Sequence, residues 1–276
     1  MSGSIYGCIA PHGGPIVAEV AGENLEKYQA LRNAMEELGR RVKGKHLDTI
    51  VLLTPHGLRL QSEVAIYTCE YSSGSMSGAG NTVNGKVSCD KELAQAILRE
   101  TKAAGIPAVG CNYGAMSGPG SDISMDWGTF IPMWFFGMRE QQAPKVVVIG
   151  PTRDIPLEQL VELGRIIARE AEKSGKRVGL VASADQGHAH DVNGPYGYHP
   201  AAAEYDRWMV DVVSENRLAD LLKADMALVD HAKPDSLWQT LSLYGACTVV
   251  PMQGELLCYD LPSYFGMLVA GYEVLK

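Results

Sequence analysis

The sequence alternates short β-branched apolar runs, each bounded by Pro or Gly, with longer segments of helical period. This alternation is typical of α/β proteins, in which helices cover a buried central sheet. We therefore predict an α/β fold whose mixed, mostly parallel central sheet is flanked by helices. No Pro/Ser-rich linker or shift in composition divides the chain, so we expect one domain over residues 1–276. Strands are predicted at 5–10, 49–54, 64–69, 106–110, 145–149 and 177–182, and helices at 24–42, 90–104, 156–174, 200–214, 217–226 and 236–244.

Three further segments have less regular patterns. Residues 248–259 carry Gly254 between two apolar arms, and this pattern predicts a hairpin or a bent strand. Residues 71–85 and 112–122 are rich in Gly and Ser. We interpret these two stretches as surface loops, one of which could serve as a mobile flap.

Composition and charge limit the partners. The chain has 276 residues, 20% of them charged, and a formal net charge of -8 with no block of Lys or Arg. This balance argues against nucleic acid and anionic membrane surfaces as partners. The six cysteines form no Cys-x-x-Cys pair, as is usual for reduced thiols in the cytosol. No stretch reaches the roughly 18 apolar residues of a membrane span, so we expect a cytoplasmic, unprocessed protein.

Two predicted strands end at the same tripeptide, Pro-His-Gly. It places His12 after the first strand and His56 after the second. Side chains just past the carboxyl ends of parallel strands project into the crevice where α/β proteins bind ligands. Histidine is the commonest side-chain ligand of transition metals near neutral pH. The repeated motif therefore predicts that the two imidazoles share a metal site.

A shared metal site needs a third ligand, for which Glu255 is the candidate. It lies in the apolar run VVPMQGELLCYD, where burying a carboxylate is costly without a cation. The alternative is that Glu255 lies on the exposed face of an edge strand.

A cluster of polar residues follows the predicted strand at 177–182. The stretch ASADQGHAHD contains Asp185, His188 and His190. In an extended backbone the two histidines would point the same way, so either could act as an acid/base or as an extra ligand. His199 precedes a Pro at a predicted helix start. We expect it either to begin that helix or to support the residues of the site. The sequence contains no phosphate-binding Gly-rich motif, no His-Glu-x-x-His and no nucleophile elbow around Ser183.

The chain resembles class III extradiol ring-cleavage dioxygenases. The resemblance lies in the order and spacing of His12, His56, the segment 183–188 and Glu255. This superfamily includes the catalytic subunit of protocatechuate 4,5-dioxygenase and 2-aminophenol 1,6-dioxygenase. The resemblance implies that His12, His56 and Glu255 bind non-haem Fe(II). It further implies that His188 is the acid/base. Apart from the resemblance, we expect His190 or Asp185 to assist His188. The expected reaction inserts O₂ into a catechol or 2-aminophenol ring and opens it.

The chain also departs from this family. Many members have Asp-His-Gly where this sequence has Asp126-Trp127-Gly128, so Trp127 replaces a second active-site histidine. Indole can stack on an aromatic ring but cannot shuttle protons. We expect Trp127 to line the substrate pocket. Three further residues are expected to line it: Tyr196, Tyr198 and His199.

Two other functions fit the same residues. Two histidines and a glutamate also make a catalytic zinc site, so a Zn-dependent hydrolase or lyase is one alternative, and Mn is a further possible metal. A non-catalytic metal-binding or signalling protein on the same scaffold is the other. For the enzyme we expect a homo-oligomer that acts on a small aromatic substrate, and a small partner subunit is a further option.

Overall fold

A computed structural model describes residues 5–275. Within this range the chain forms an eight-stranded sheet and a three-stranded sheet. The strands are β1 Ile5–Ala10, β2 Thr49–Leu53, β3 Val64–Tyr67, β4 Tyr71–Gly78, β5 Asn81–Ser88, β6 Ala108–Cys111, β7 Asp122–Ser124, β8 Lys145–Gly150, β9 Val178–Ser183, β10 Met252–Asp260 and β11 Met267–Val274. The α-helices are α1 Ala18–Ala21, α2 Gln29–Gly44, α3 Lys91–Ala103, α4 Trp127–Phe135, α5 Leu157–Ser174, α6 Ala201–Ser214, α7 Met226–Ala232 and α8 Leu237–Val249.

The large sheet has the order β10-β11-β1-β9-β2-β8-β3-β6. Its central strands β1, β9, β2 and β8 are parallel neighbours, whereas β10 and β11 are antiparallel at one edge. β1, β2 and β9 are buried along their whole length, because both faces of the sheet are covered by helices. The predicted α/β fold with a mixed, mostly parallel sheet is confirmed.

Side chains alternate between two cores along the central strands. Ile9 packs with the core that includes α5, α6 and α8, whereas Cys8 packs with the core that includes α2 and α4. This period of two is the geometry of a strand buried on both faces. The helices of the two layers therefore hold the carboxyl ends of β1, β9 and β2 side by side.

The glycine- and serine-rich segment 71–85 is not a loop. It forms most of a hairpin, in which β4 and β5 pair from Tyr71 opposite Ser88 to Gly78 opposite Asn81. Ala79 and Gly80 have φ values of 50° and 79°, as a tight hairpin turn requires. Its small polar side chains belong to a sheet with a largely solvent-facing surface, so the hydrophobic alternation that marks a strand in sequence is missing.

Other boundaries also differ from the prediction. The helix expected over 217–226 is a 3₁₀ segment, Leu218–Lys223, followed by α7, whose first turn is capped by the Asp225 carboxylate accepting from the Ala227 amide. The segment 248–259 completes α8 and then forms β10, an edge strand with a register shift between Leu256 and Cys258. Among residues 5–275, none of the helices has the length and apolar character needed to cross a membrane.

Helices α5 and α8 cross at glycines. A Cβ atom at Gly164 would lie 1.8 Å from the Ser242 carbonyl oxygen, and one at Gly245 would lie 1.9 Å from the Val161 carbonyl oxygen. Only glycine permits this close approach of two helix backbones. The crossing fixes α8 against the core, and α8 begins two residues after Asp235.

Candidate metal centre

His12, His56 and Asp235 come together beside the carboxyl ends of β1 and β2. The two Nε2 atoms lie 3.0 Å apart. Oδ2 of Asp235 lies 3.3 Å from Nε2 of His12 and 3.5 Å from Nε2 of His56. One ligand atom from each residue falls within 4.8 Å of the others, a spacing that could hold a metal ion. The predicted convergence of the two histidines is thus present in the structure.

The tautomer of His12 is set by Ser183, the last residue of β9. The Ser183 hydroxyl donates to the Gly128 carbonyl oxygen at 2.5 Å, so towards His12 it acts as an acceptor. Nδ1 of His12 lies 3.0 Å from the Ser183 hydroxyl oxygen. Nδ1 is therefore the nitrogen that carries the proton and donates it to Ser183. The lone pair of a neutral His12 then lies on Nε2, the atom that faces His56 and Asp235. This arrangement fits a divalent cation, whose histidine ligands are usually oriented in this way.

His56 is held by the turn that follows β2. Gly57 has a φ of 75°, which allows the sharp exit after the histidine. The Thr54 hydroxyl donates to the Asp126 carboxylate at 2.6 Å, and this contact joins the turn to the start of α4. The first residue of α4, Trp127, packs against the His56 imidazole with ring centroids 4.1 Å apart. Trp127 therefore lies beside the cluster and lines the cleft next to it.

The carboxylate of the cluster is Asp235, and the prediction of Glu255 as the third ligand is wrong. Glu255 lies on edge strand β10 with 63% of its side chain exposed, and it accepts from the Arg41 guanidinium at 2.7 Å. Glu255 was assigned as a metal ligand because a buried carboxylate needs a cation, but its carboxylate is not buried. Oδ1 of Asp235 instead accepts from the Asp185 amide at 2.8 Å, which leaves Oδ2 for the histidines.

The cluster concentrates negative charge in a buried place. Asp185 accepts from the His12 amide, and its Oδ2 lies 3.2 Å from His12 Nε2. Burial raises the pKa of Asp185 to about 7, although His12 lowers it. Burial alone would raise the pKa of Asp235, but His12 and His56 outweigh it and hold that pKa below its usual range.

The same charges act on the pKa of His12 in the opposite direction. Burial alone would lower its pKa, but Asp185 and Asp235 raise it to about 9. Two buried carboxylates thus attract positive charge to Nε2 of His12, and a proton and a divalent cation compete for that place. Asp185 acts here by orienting His12, so it supports the cluster rather than standing apart from it.

His188 faces the cluster from the loop after β9. Its Nε2 lies 4.0 Å from Oδ2 of Asp235. Nδ1 donates to the Gln186 carbonyl oxygen at 2.7 Å, so Nε2 of the neutral ring is free to accept a proton. Burial lowers the pKa of His188, against the opposing charge of Asp235. The ring stacks on Phe265 with centroids 5.0 Å apart and meets Tyr196 edge-on at 5.6 Å.

Three other predicted site residues lie apart from the cluster. Nε2 of His190 lies 2.9 Å from Oδ2 of Asp206, away from His188. The two histidines diverge because residues 184–190 are not a regular strand, so alternation does not apply. His199 stacks on His231 with ring centroids 4.5 Å apart at the start of α6. Tyr198 is exposed and pairs through its backbone with His190.

An open cleft adjoins the cluster on the side of His56 and Trp127. Its volume is about 1280 Å³, and its lining includes Met76, Tyr113 and Phe130. These apolar and aromatic side chains suit a flat ring better than a polar chain. The hairpin β4–β5 forms part of the wall through Ser73, Ser75 and Ser77.

Asp235 was missed because sequence offers two interpretations of an aspartate before a helix. In AKPDSLWQ it stands where an N-cap residue belongs. In the structure the N-cap residue of α8 is Ser236, whose hydroxyl makes no cap and pairs with the Tyr205 hydroxyl. The Asp235 carboxylate precedes the cap and faces the histidines. The only hint in the sequence is that Ser236 and Asp235 compete for one capping position.

A mostly parallel sheet with a His-His-carboxylate group beside its strand ends defines a candidate metal centre. The family follows from the sequence: residues 6–269 match the family described as the catalytic LigB subunit of aromatic ring-opening dioxygenase. The chain belongs to this family.

Two relatives accompany this match. The chain is 24% identical over 270 residues to the protein CA_C1420 of Clostridium acetobutylicum, and the match covers 97% of this chain and 56% of that protein. The chain thus spans about half the length of this curated relative. The crystal structure of the uncharacterized protein JW3007 from Escherichia coli K12 shares the fold, with a TM-score of 0.59 and 15% identity over 96% of this chain and 98% of that one.

Proposed function

We propose that this protein is a non-haem Fe(II)-dependent extradiol dioxygenase that opens a catechol or 2-aminophenol ring. Support comes from the family and from one observation, the meeting of His12, His56 and Asp235 with His188 at 4.0 Å from the shared carboxylate. Two neutral imidazoles and a carboxylate are the ligand set of many non-haem Fe(II) oxygenases. His12, His56 and Asp235 would hold the ion.

Fe(II), when bound, supplies the redox chemistry between dioxygen and the ring. The residues of the chain bind and orient the substrate beside it. Trp127 offers an aromatic face next to His56, and the cleft behind it has room for a substituted ring. In the overall reaction a ring carbon–carbon bond breaks and both atoms of O₂ enter the product, so no external reductant is consumed.

His188 would move the protons. Its Nε2 has the free lone pair and faces the cluster, so it can take the proton of a substrate hydroxyl or amino group and return it to the opening product. Phe265 and Tyr196 enclose the imidazole and limit its access to water. Burial keeps the pKa of His188 low, which favours the neutral, proton-accepting ring.

The test is anaerobic loading with Fe(II), followed by O₂ uptake and visible absorbance with catechols, gallate and aminophenols. We expect one O₂ consumed per ring opened and a coloured, ring-opened product. Protein loaded with Zn²⁺ is the matched control, since zinc has no redox chemistry. Iron-loaded protein that consumes no O₂ with any of these compounds would contradict the proposal. Fe-independent hydrolysis or lyase activity would support the zinc alternative instead.

A further inference from the structure

Two arginines lie at the mouth of the candidate metal centre on neighbouring loops. Arg59 follows His56 by three residues, and Arg153 follows the end of β8 by three. β2 and β8 pair side by side in parallel, so both loops leave the same edge of the sheet. The Thr152 hydroxyl donates to the Gln61 carbonyl oxygen and ties the two loops together.

Arg59 and Arg153 line one small cavity of about 290 Å³, together with Thr152 and Asp154. Arg59 also lines the larger cleft that contains His56 and Trp127. The small cavity is therefore adjacent to the place proposed for the ring. It has room for a charged substituent of a ring that lies in the larger cleft.

Neither guanidinium has an acidic partner in the described part of the chain. Across residues 5–275, no carboxylate lies within 4.0 Å of Arg59 or Arg153, and neither side chain donates a hydrogen bond to another residue. Asp154 shares the cavity but does not form an ion pair with them. Both arginines are exposed, so solvent screens their mutual repulsion, and both guanidinium groups remain available to an anion.

Arg153 is exposed, but its guanidinium packs against an aromatic ring. Its guanidinium carbon lies 4.0 Å from the centroid of the Trp238 ring, a stacking contact that Arg favours. Burial lowers the pKa of Arg153 and the charge of Arg59 lowers it further, whereas Asp235 and Tyr196 raise it.

We propose that Arg59 and Arg153 form a subsite for an oxyanion carried by the substrate, a carboxylate or a phosphate group on a substituent of the ring. This inference rests on the proposed function, because it assumes that the ring lies in the cleft beside His56. A guanidinium binds such groups through two parallel N–H donors. The subsite would hold the substituent and so fix which ring bond faces His188.

Binding is tested without turnover, by calorimetry on anaerobic Zn²⁺-loaded protein. The probes are 3,4-dihydroxyphenylacetate and its neutral amide, which differ only in the charged group. We expect the acid to bind at least about 10-fold more tightly, since hydrogen bonds to charged groups are worth that much or more. Competition by acetate would assign the carboxylate, and competition by inorganic phosphate would assign a phosphoryl group.

The variants Arg59→Gln and Arg153→Gln should each remove most of this preference and leave the affinity for the amide unchanged. Arg153→Lys keeps the charge without the paired donors and should retain part of the preference. Arg99→Gln, an exposed arginine on α3, is the matched control. Equal affinity of the wild-type protein for the acid and the amide would overturn the subsite. Since calorimetry needs no catalysis, a protein that prefers the acid but consumes no O₂ when loaded with Fe(II) would overturn only the dioxygenase proposal.

Discussion

The Ser183 hydroxyl and the His12 imidazole form a hydrogen bond of 3.0 Å in which the direction of donation is determined. Ser183 gives its own proton to the Gly128 carbonyl oxygen. His12 must therefore donate from Nδ1, and its Nε2 is left with the lone pair. A serine at the end of β9 thus decides which nitrogen of a histidine at the end of β1 can bind a cation.

The first prediction removes this bond. Ser183→Ala should lower the affinity for Zn²⁺ or Fe(II) by about 10- to 100-fold, as is typical when a group that orients a metal ligand is lost. The measurement is competition with a chromophoric chelator. Ser242→Ala is the control, because Ser242 is a buried serine that donates to the Leu160 carbonyl oxygen outside the cluster. Equal affinities of the two variants would show that Ser183 does not orient His12.

The second prediction compares the observed carboxylate with the one expected from sequence. Asp235→Asn should weaken metal binding by about 100-fold or more, because it removes a ligand and not merely its support. Glu255→Gln should leave metal affinity unchanged, since the Glu255 side chain is exposed and bound to Arg41. Chelator competition on both variants decides between them. A loss of metal in the Glu255 variant would restore the original assignment.

The third prediction separates catalysis from metal binding. His188→Ala should reduce turnover by about 100- to 10,000-fold, the usual contribution of general acid–base catalysis. Its metal content should not change, because His188 is not one of the three proposed ligands. His190→Ala is the matched variant: its Nε2 bonds with Asp206, so it should affect stability more than turnover. If both variants turned over at the wild-type rate, the proton-transfer role would be wrong.

The fourth prediction concerns stability and pH. The buried Asp90 carboxylate accepts from Lys176 at 2.8 Å and from Thr49 at 2.6 Å. Burial alone would raise the pKa of Asp90, but these hydrogen bonds hold it below the usual value. The stabilisation is therefore complete above the unfolded-state pKa of about 3.9, and it is lost as pH falls through the lower folded-state pKa.

Asp90→Asn should accordingly lower the free energy of unfolding at pH 7 by about 2 kcal/mol, and the difference should shrink in acid. Urea unfolding at several pH values measures both effects. Glu92→Gln is the control, because Glu92 is exposed and lies 3.7 Å from the same Lys176. We expect that change to stay within about 0.5 kcal/mol.

The fifth prediction tests the helix crossing. Gly164→Ala should lower the free energy of unfolding by about 3 kcal/mol, because the added methyl group overlaps the Ser242 backbone. Gly44→Ala, at the end of α2 with open space around it, should instead stabilise the protein by about 0.5 to 1 kcal/mol. Urea unfolding distinguishes the two. A neutral Gly164 variant would mean that α5 and α8 can separate without cost.

Strand ends were the part of the site that sequence could predict. His12 and His56 follow apolar runs that are buried on both sides, so their positions follow from the geometry of parallel sheets. Asp235 follows a short helix, and an aspartate before α8 is indistinguishable in sequence from an N-cap. Glu255 was assigned by a burial argument that holds for central strands, whereas β10 is an edge strand whose side chains face solvent on one side.

Burial also explains which strands were predicted correctly and which were missed. β1 was predicted with its observed bounds, Ile5–Ala10, because a fully buried strand carries an uninterrupted apolar run. β4 and β5 were missed because a polar hairpin gains its order from pairing rather than from burial. Pairing partners depend on the whole chain, and local composition does not record them.

Residues 12, 56 and 235 come from opposite ends of the polypeptide, so their meeting requires both halves of the sheet to be assembled. The unfolded chain cannot offer the three groups together, and an ion bound there would favour the folded state alone. By mass action, a cation at one hundred times its dissociation constant adds about 2.7 kcal/mol to the free energy of unfolding. Metal supply would then govern the lifetime of this protein as well as its chemistry.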